Sequence, residues 1–279
     1  MIIALFSNTT KPQHQHLTLG VIEFLTNHGA TVVMEEGQAQ EFNTKKLIDI
    51  NPSKIQCMIS MGGDGTILQL VHDYPYLLAP ILGINLGHLG FMADVPISDI
   101  YPSLLDLLHG NYKVDDRLMI DGKSTEENCC FAANDIVIHR ARNPSLIELA
   151  IHVDGLYVNT FEADGIIVAT PNGSTAYSLA AGGPILSPGL EALVLTPISA
   201  HTISNRPIVL MANQEIQIQY LSEYDPVEVS ADGLDQFFLK TGETFTISRS
   251  EKTFRLVSLY RRDYFSTLRS KLGWSGKLR

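Results

Sequence analysis

The sequence predicts an α/β domain followed by an all-β domain. Over residues 1–115, short apolar runs alternate with helical patterns, which is typical of a parallel sheet with right-handed crossovers. From Arg117 onward, β-rich runs are separated by short turns, which is typical of an antiparallel, all-β domain. We therefore expect an α/β domain at 1–115, a β-rich domain at 116–262, and a basic tail at 263–279 that returns to pack on the first domain.

In the first half, strands are predicted at 2–6, 31–34, 55–60 and 80–85, and helices at about 17–28, 67–72 and 97–109. Gly29 and Gly110 are good C-terminal stops for the first and last of these helices. Pro12 is placed in a polar loop, and the weakly patterned segment 35–51 is expected to be loop with a short helix. The parallel strands bring the ends of 55–60 and 80–85 to the same sheet edge, where ligands of such sheets bind.

In the second half, the clearest signal is Asp154-Gly155, because a two-residue Asp-Gly link between β-rich runs favours a type I′ hairpin. Strands are predicted at 134–139, 147–153, 156–161, 166–169, 216–220, 227–230, 245–248 and 254–260.

Length and composition are those of a soluble globular protein. The 279 residues are enough for one large or two ordinary domains, with 45% hydrophobic and 18% charged residues. No apolar run reaches the roughly 18 residues that span a bilayer. The apolar start, residues 1–6, lacks the basic residues and cleavage site of a signal peptide. We expect a cytoplasmic protein without a membrane partner.

The formal charge of −10 argues against a nucleic-acid partner, because no basic run offsets it. A polyanionic ligand would need backbone donors, a metal and a few cations, which favours a nucleotide with Mg²⁺ over a polymer. Cys57, Cys129 and Cys130 lack metal-ligand spacing and are expected to be reduced and structural.

The motif Gly-Gly-Asp-Gly-Thr at 62–66 lies between a predicted strand and a predicted helix. Its glycines permit positive φ and close approach to a bound group, and the helix N-terminus suits a phosphate. Asp64 would repel that phosphate, so it needs a compensating role: capping, holding a metal or accepting a proton. The alternative is an ordinary turn aspartate. No Gly-x-x-x-x-Gly-Lys-Ser/Thr loop is present, so backbone amides at 62–66 must hold any phosphate.

A second motif, at 170–184, is dominated by small residues and hydroxyls. Ser174 or Thr175 is predicted to cap a short helix that runs through Ala181. A closely packed helix would explain the small residues alone. A nucleotide site explains the hydroxyls as well, with Tyr177 able to stack on a base.

Together, the two motifs resemble the NAD kinase family, specifically its bacterial members. The likeness extends to 87–91, 134–135, 164–165, 204–208, 231–233 and 271–275. The resemblance implies a kinase that phosphorylates the adenosine ribose 2′-hydroxyl of NAD with ATP and Mg²⁺, producing NADP. It also implies a Rossmann/flavodoxin-like first domain, a β-sandwich-like second domain, and a homotetramer or dimer.

The resemblance also assigns roles by matching position. Asp64 would be the general base, and Gly62, Gly63, Gly65 and Thr66 would surround the transferred phosphoryl group, with Gly65 also touching NAD. Directly ligated metal is not expected. The NAD-binding residues would be Phe91, Asn134 and Asp135 for the dinucleotide and its adenosine, Asp164 for the other end, and Thr175, Ala176, Tyr177, Ser178, Leu179 and Ala180 for adenine.

Three positions depart from the family pattern. Glu162 stands where a basic residue is frequent, Ser145 where relatives carry histidine or arginine, and Leu234 where a polar residue often follows Asp-Gly. These departures leave open the contacts there and the preference between NAD and NADH. The competing hypotheses are a lipid kinase, which leaves 170–185 unexplained, and a dinucleotide sensor without turnover, against which Asp64 argues.

Overall fold

The structure, a computed structural model, describes residues 1–9, 11–87, 89–126, 128–201, 205–274 and 276. The chain forms two compact units. The first unit contains residues 1–116 and the chain from Arg255 onward, and the second unit contains Arg117–Phe254. The β-rich domain was predicted to end at 262, whereas the second unit ends at Phe254. This end lies within a strand, Thr244–Leu259, whose last residues belong to the first unit.

The chain up to His109 alternates strands and helices. In order, these are β1 (Ile2–Ser7), α1 (Pro12–Asn27), β2 (Thr31–Met34), α2 (Glu36–Glu41), β3 (Lys45–Lys46), β4 (Cys57–Gly62), α3 (Asp64–Asp73), β5 (Ile81–Asn85), β6 (Val95–Pro96) and α4 (Ile100–His109).

From Tyr112 onward the chain is mostly β-strand. The elements are β7 (Tyr112–Ser124), β8 (Cys129–Ala132), β9 (Asp135–His139), β10 (Ile147–Val153), β11 (Leu156–Ala163), β12 (Gly165–Ala169), α5 (Tyr177–Ala180), β13 (Ala192–Ile198), β14 (Ile208–Met211), β15 (Ile216–Tyr220), β16 (Val227–Ala231), β17 (Asp235–Leu239), β18 (Thr244–Leu259) and α6 (Tyr264–Leu272).

The first unit is built on a parallel sheet with strand order β3-β2-β1-β4-β5. The end of β18 joins it beside β5, where Leu256 pairs in parallel with Ile81. All six residues of β4 are buried, as expected for a strand covered on both faces. The strand order reverses between β1 and β4, and ligands of open parallel sheets bind at such a switch point. The carboxyl ends at this point are Ser7 and Gly62.

The second unit is a sandwich of antiparallel sheets. One sheet has the order β11-β10-β15-β18 with the β7–β8 hairpin, and the other has the order β14-β13-β12-β9-β16-β17. Buried side chains of both sheets form one core, including Leu149, Ile218 and Phe245 from the first sheet and Ile138 and Val168 from the second. The predicted fold class, α/β followed by all-β, is confirmed.

Several predicted elements need correction. Pro12 begins α1 instead of lying in a loop, because the fixed φ of proline suits the first helical position. The two strands expected at 245–248 and 254–260 are one continuous strand, β18, whose polar middle hid its continuity. No strand was predicted at β13, which contains Pro197, a residue that is rare inside strands.

Other predictions are confirmed. Asp154 and Gly155 both have positive φ and join β10 to β11, as a type I′ hairpin requires. Gly110 caps α4 in the left-handed conformation. Among the described residues, no helix has both the length and the apolar character needed to cross a membrane.

Candidate functional site

The glycine motif at 62–66 joins β4 to α3. Gly62 ends the strand, Gly63 caps the helix, and Asp64 is the first helical residue. None of the motif's three glycines, all of which the structure describes, has a positive φ, so the positive φ that glycine permits is not used here. Gly62 instead permits close packing, whereas a Cβ on Gly63 or Gly65 would meet no atom within 4 Å. A Cβ on Gly62 would lie 2.2 Å from Oγ1 of Thr66, and that oxygen accepts a 3.3 Å hydrogen bond from the N–H of Gly63.

The carboxylate of Asp64 is held by three consecutive backbone amides. Oδ2 accepts a hydrogen bond from the N–H of Phe91 (2.8 Å), and Oδ1 accepts from Met92 (3.1 Å) and Ala93 (2.8 Å). Hydrogen bonds to an ionised acceptor are stronger than neutral ones, and three of them fix both oxygens. The segment 90–93 therefore orients a half-buried carboxylate at the N-terminus of α3.

The aromatic ring of Phe91 is covered by helix α6. The ring centroids of Phe91 and Tyr264 are 6.3 Å apart, and Nζ of Lys271 lies 5.7 Å from the Phe91 ring centroid. The tail thus contacts the residue whose amide holds Asp64. Lys271 also brings a positive charge to this part of the first unit.

A cavity of about 530 Å³ opens beside the glycine motif. It lies at the switch point between β1 and β4, and Ser7, Asn8, Gly65 and Thr66 line it together with Glu35 and Asp73. The N-terminus of α3 borders this space, and the unpaired N–H groups of a helix N-terminus favour an anion there.

In the second unit, the carboxylate of Asp232 has the same arrangement as that of Asp64. Its oxygens accept hydrogen bonds from three consecutive amides, those of Ala133 (2.8 Å), Asn134 (2.8 Å) and Asp135 (3.1 Å). Asp232 thereby fixes the start of β9, where two predicted ligand residues lie.

The carboxyl group of Asp135 is buried and faces the negative charge of Asp232. Burial is the main cause that raises the pKa of Asp135 to about 7, and repulsion by Asp232 adds to it, while the backbone N–H of Tyr177 opposes it. Near neutral pH, this side chain therefore exchanges a proton and can either donate or accept a hydrogen bond.

Asn134 is joined to the second motif. Its Oδ1 accepts a 2.6 Å hydrogen bond from Nδ2 of Asn172, and its backbone O accepts a 2.8 Å bond from the N–H of Thr170. A Cβ on Gly173 would lie 2.0 Å from the backbone O of Asn134, so only glycine fits there. The structure therefore brings Asn134 and Asp135 together with the segment 170–184.

The capping role expected of Ser174 or Thr175 is wrong. Oγ of Ser174 donates to the backbone O of Pro171 (2.6 Å) and accepts from the N–H of Leu186 (2.9 Å), while Oγ1 of Thr175 donates to the O of Asn172 (2.9 Å). The single helix expected here is a 3₁₀ turn, Gly173–Thr175, followed by α5. These hydroxyls brace the segment instead of beginning a helix.

The predicted adenine-binding residues differ in exposure. Tyr177 is 47% exposed, and Ala176 and Ala180 are also exposed, whereas Thr175 and Leu179 are half-buried. Ser178 is fully buried, and its Oγ is 2.9 Å from Oγ1 of Thr196. Its hydroxyl is therefore engaged inside the protein.

Asp164, between β11 and β12, pairs with Arg140. Nε of Arg140 donates a 2.7 Å hydrogen bond to Oδ1 of Asp164. Of the three departures from the family pattern, Ser145 and Glu162 are exposed, and Leu234 is 39% exposed in the turn after Asp232.

Asp232, Arg140 and Lys271 take part in the contacts described above, but no role was predicted for them. Asp232-Gly233 is a visible turn signal, but nothing local shows which amides its carboxylate binds. Among the residues that the structure describes, no group of three or more His, Cys, Asp or Glu side chains is arranged to hold a metal ion. His88, Ser204 and Ser275, which belong to three matching motifs, lie outside the described residues.

Comparison with protein families matches both units. The ATP-NAD kinase N-terminal domain matches residues 3–112, and the ATP-NAD kinase C-terminal domain matches residues 133–259. The chain is 55% identical over 278 residues to the NAD kinase of Protochlamydia amoebophila (strain UWE25), covering 100% of both. It is 37% identical over 281 residues to the NAD kinase of Geotalea daltonii, covering 98% of both.

Two solved structures share the fold. Yeast NADH kinase complexed with NADH superimposes with a TM-score of 0.85 at 25% identity, covering 100% of this chain and 89% of that chain. An NAD kinase from Archaeoglobus fulgidus in complex with ATP superimposes with a TM-score of 0.79 at 26% identity, covering 99% and 100%.

Proposed function

The chain belongs to the NAD kinase family and phosphorylates NAD to NADP with ATP, and we propose that Asp64 is the general base of this transfer. In this reaction, the 2′-oxygen of the adenosine ribose forms a bond to the γ-phosphorus as the bond from that phosphorus to the β,γ-bridging oxygen breaks. ADP leaves, and the hydroxyl proton passes to the carboxylate of Asp64.

The observation that carries this proposal is the set of three amide hydrogen bonds on Asp64. A carboxylate fixed at both oxygens has a defined position, and Oδ2, which accepts only one of the three bonds, keeps a further lone pair that can accept a proton. General-base catalysis supplies roughly 10²- to 10⁴-fold in rate. The larger share comes from positioning the two substrates in line.

The phosphates of ATP are proposed to bind at the N-terminus of α3. The cavity beside it is lined by Ser7, Gly65 and Thr66, and the helix dipole favours negative charge at this end. Gly62 and Gly63 complete the turn. Because the described residues form no metal cage, Mg²⁺ is assigned to the Mg·ATP substrate, where phosphate oxygens and water are its usual ligands.

Contacts to the dinucleotide are proposed within each unit by itself. Phe91 supplies an aromatic face in the first unit. In the second unit, Asn134 and Asp135 offer polar groups for the adenosine, half-exposed Tyr177 offers a ring for stacking, and Asp164 offers a carboxylate for the other end of the molecule. The remaining proposed contacts are Thr175, Ala176, Leu179, Ala180 and the backbone of Ser178, whose hydroxyl is engaged with Thr196, with Ser145, Glu162 and Leu234 as weaker candidates.

The decisive experiment is an assay for NADP after incubation with ATP, Mg²⁺ and NAD. We expect turnover by the unmodified chain, which separates a kinase from a dinucleotide sensor, and no phosphorylation of a lipid acceptor. Asp64→Asn should lower kcat by about 10²-fold or more while the Kd for NAD stays within about threefold, because a neutral amide is a poor base of similar shape.

The matched control is Asp49→Asn, the same change at an exposed position of the first unit that does not line the cavity beside α3. This variant should retain the unmodified kcat. Substantial turnover by purified Asp64→Asn would remove Asp64 from the role of base.

Two further properties stay predictions, assembly as a homotetramer or dimer and a cytoplasmic location. The departures from the family pattern give no prediction of the choice between NAD and NADH as acceptor. One similar structure is described as an NADH kinase and another as an NAD kinase, so both acceptors belong in the assay.

A further inference from the structure

Arg140 and Asp164 are joined by one main-chain and one side-chain hydrogen bond. The N–H of Arg140 donates a 2.9 Å hydrogen bond to the backbone O of Asp164, and Nε donates a 2.7 Å bond to Oδ1. The antiparallel pairing of β9 with β12 sets His139 opposite Gly165, which brings their neighbours Arg140 and Asp164 to the same edge of the sheet. Both side chains are about one-third exposed, at 37% and 35%.

The guanidinium of Arg140 is itself held in place. Its Nη1 donates to the backbone O of Asn143, and Asn143 is 98% buried, with 2% exposure. Nδ2 of Asn143 donates a 2.9 Å bond to the backbone O of Asp225. The loop after β9 is thus anchored, and the positive charge of Arg140 stays beside Oδ1 of Asp164.

This arrangement affects how the site discriminates between the oxidised ligand, NAD, and the reduced ligand, NADH. Asp164 is the carboxylate assigned to the dinucleotide end that lacks adenine, where the nicotinamide ring is positively charged in NAD and neutral in NADH. An unpaired carboxylate would attract the charged ring and disfavour the neutral one. A paired carboxylate still accepts a hydrogen bond through Oδ2 but attracts the positive charge less.

We propose that Arg140 is a specificity-determining residue that offsets the charge of Asp164, so that the site accepts NADH as well as NAD. The inference rests on the proposed function, because it takes the dinucleotide as the ligand of Asp164. Glu162, two residues before Asp164, remains as an exposed carboxylate in every variant below. It therefore does not affect the comparison of the NADH and NAD affinities between variants.

The size of the effect follows from Coulomb's law. We take one unit charge about 6 Å from another and an effective dielectric constant of roughly 40 to 80. The resulting interaction energy corresponds to a change of about three- to tenfold in the affinity for the charged ligand relative to the neutral one. Removal of the guanidinium charge should therefore change the ratio of the two affinities by about this factor.

The experiment is calorimetric titration of the full-length chain with NAD and with NADH, in the absence of ATP. We expect the unmodified chain to bind both, and Arg140→Gln to raise the ratio Kd(NADH)/Kd(NAD) by about three- to tenfold. Arg140→Lys keeps the positive charge and should leave the ratio within about twofold. Arg142→Gln removes the same charge from an exposed position two residues away and should also leave the ratio unchanged.

Two results would overturn the inference. One is an unmodified chain that binds NAD but no NADH. The other is an unchanged ratio in Arg140→Gln, including an equal loss of affinity for both ligands, which would indicate a structural role only. The proposed function fails on a different measurement, the absence of NADP formation from ATP and NAD by the unmodified chain. The titration requires no turnover, so the two failures are distinguishable.

Discussion

Gly90 lies directly against the carboxylate of Asp64, so closely that a Cβ on Gly90 would lie 2.0 Å from Oδ1. Gly90 does not have a positive φ, so its role is close approach and not backbone freedom. The absence of a side chain lets the amides of Phe91, Met92 and Ala93 reach both oxygens of the carboxylate. The glycine is therefore part of how the proposed base is positioned.

Gly90→Ala should lower kcat by at least about tenfold, because the added methyl group must displace the carboxylate or the loop that binds it. Gly87→Ala is the matched control in the same loop, since a Cβ on Gly87 meets no atom within 4 Å. Steady-state kinetics and thermal unfolding of both variants test this. Equal kcat values for the two variants would contradict the packing argument.

The carboxyl group of Asp135 should make stability depend on pH. Its pKa is raised from 3.8 to about 7 in the folded chain, so between these values the native state keeps a proton that the unfolded state releases. The free energy of unfolding should therefore fall as the pH rises from about 4 to about 7, by an amount on the order of 3 kcal/mol at most. Asp135→Asn should remove this loss.

Thermal unfolding from pH 5 to pH 8 measures the Asp135 effect. Asp135→Asn should gain stability relative to the unmodified chain as the pH rises through this range. Asp154→Asn is the control, because hydrogen bonds from Glu215 and Gln214 lower the pKa of Asp154. The difference in stability between Asp154→Asn and the unmodified chain should be constant above pH 5, because Asp154 is then ionised in both the folded and the unfolded chain. Parallel curves for Asp135→Asn and the unmodified chain would show that Asp135 is not the titrating group.

Ser178 and Tyr177 are adjacent in sequence and should behave in opposite ways. Ser178→Ala leaves the buried hydroxyl of Thr196 without its partner and should reduce stability by about 1–2 kcal/mol, while the KM for NAD stays unchanged. Tyr177→Ala removes a half-exposed ring and should raise that KM by roughly two- to tenfold with little change in stability. A raised KM in Ser178→Ala would instead support a direct ligand contact.

Glu162 lies directly opposite Glu148 in the β10–β11 hairpin, and both side chains are exposed. Like charges in this position repel, so Glu162→Lys should raise the free energy of unfolding by about 0.5–1 kcal/mol. A double-mutant cycle with Glu148→Gln checks the cause. The stability gained by Glu162→Lys should be smaller when Glu148 is replaced by neutral Gln. An equal gain in both backgrounds would show that repulsion by Glu148 is not its cause.

Much of the fold could be predicted because its signals are local. The strand at Thr31–Met34 and the hairpin at Asp154-Gly155 depend on residue types a few positions apart, and both are confirmed. The 245–260 region was predicted as two strands, because a polar stretch interrupts an apolar pattern even where the backbone continues as β18. The capping role of Ser174 was wrong, since its hydroxyl is bound by Leu186, twelve positions along the chain.

By itself, the sequence determined the order of the two domains, the positions of the two glycine-rich motifs, and Asp64 as the residue that needed a role. Only the tertiary structure decided what holds the carboxylates: amides 91–93 for Asp64, amides 133–135 for Asp232, and Arg140 for Asp164. The reason is physical. These partners are separated by 24 to 99 positions, and they meet through strand register and close packing at glycine, which no local pattern encodes.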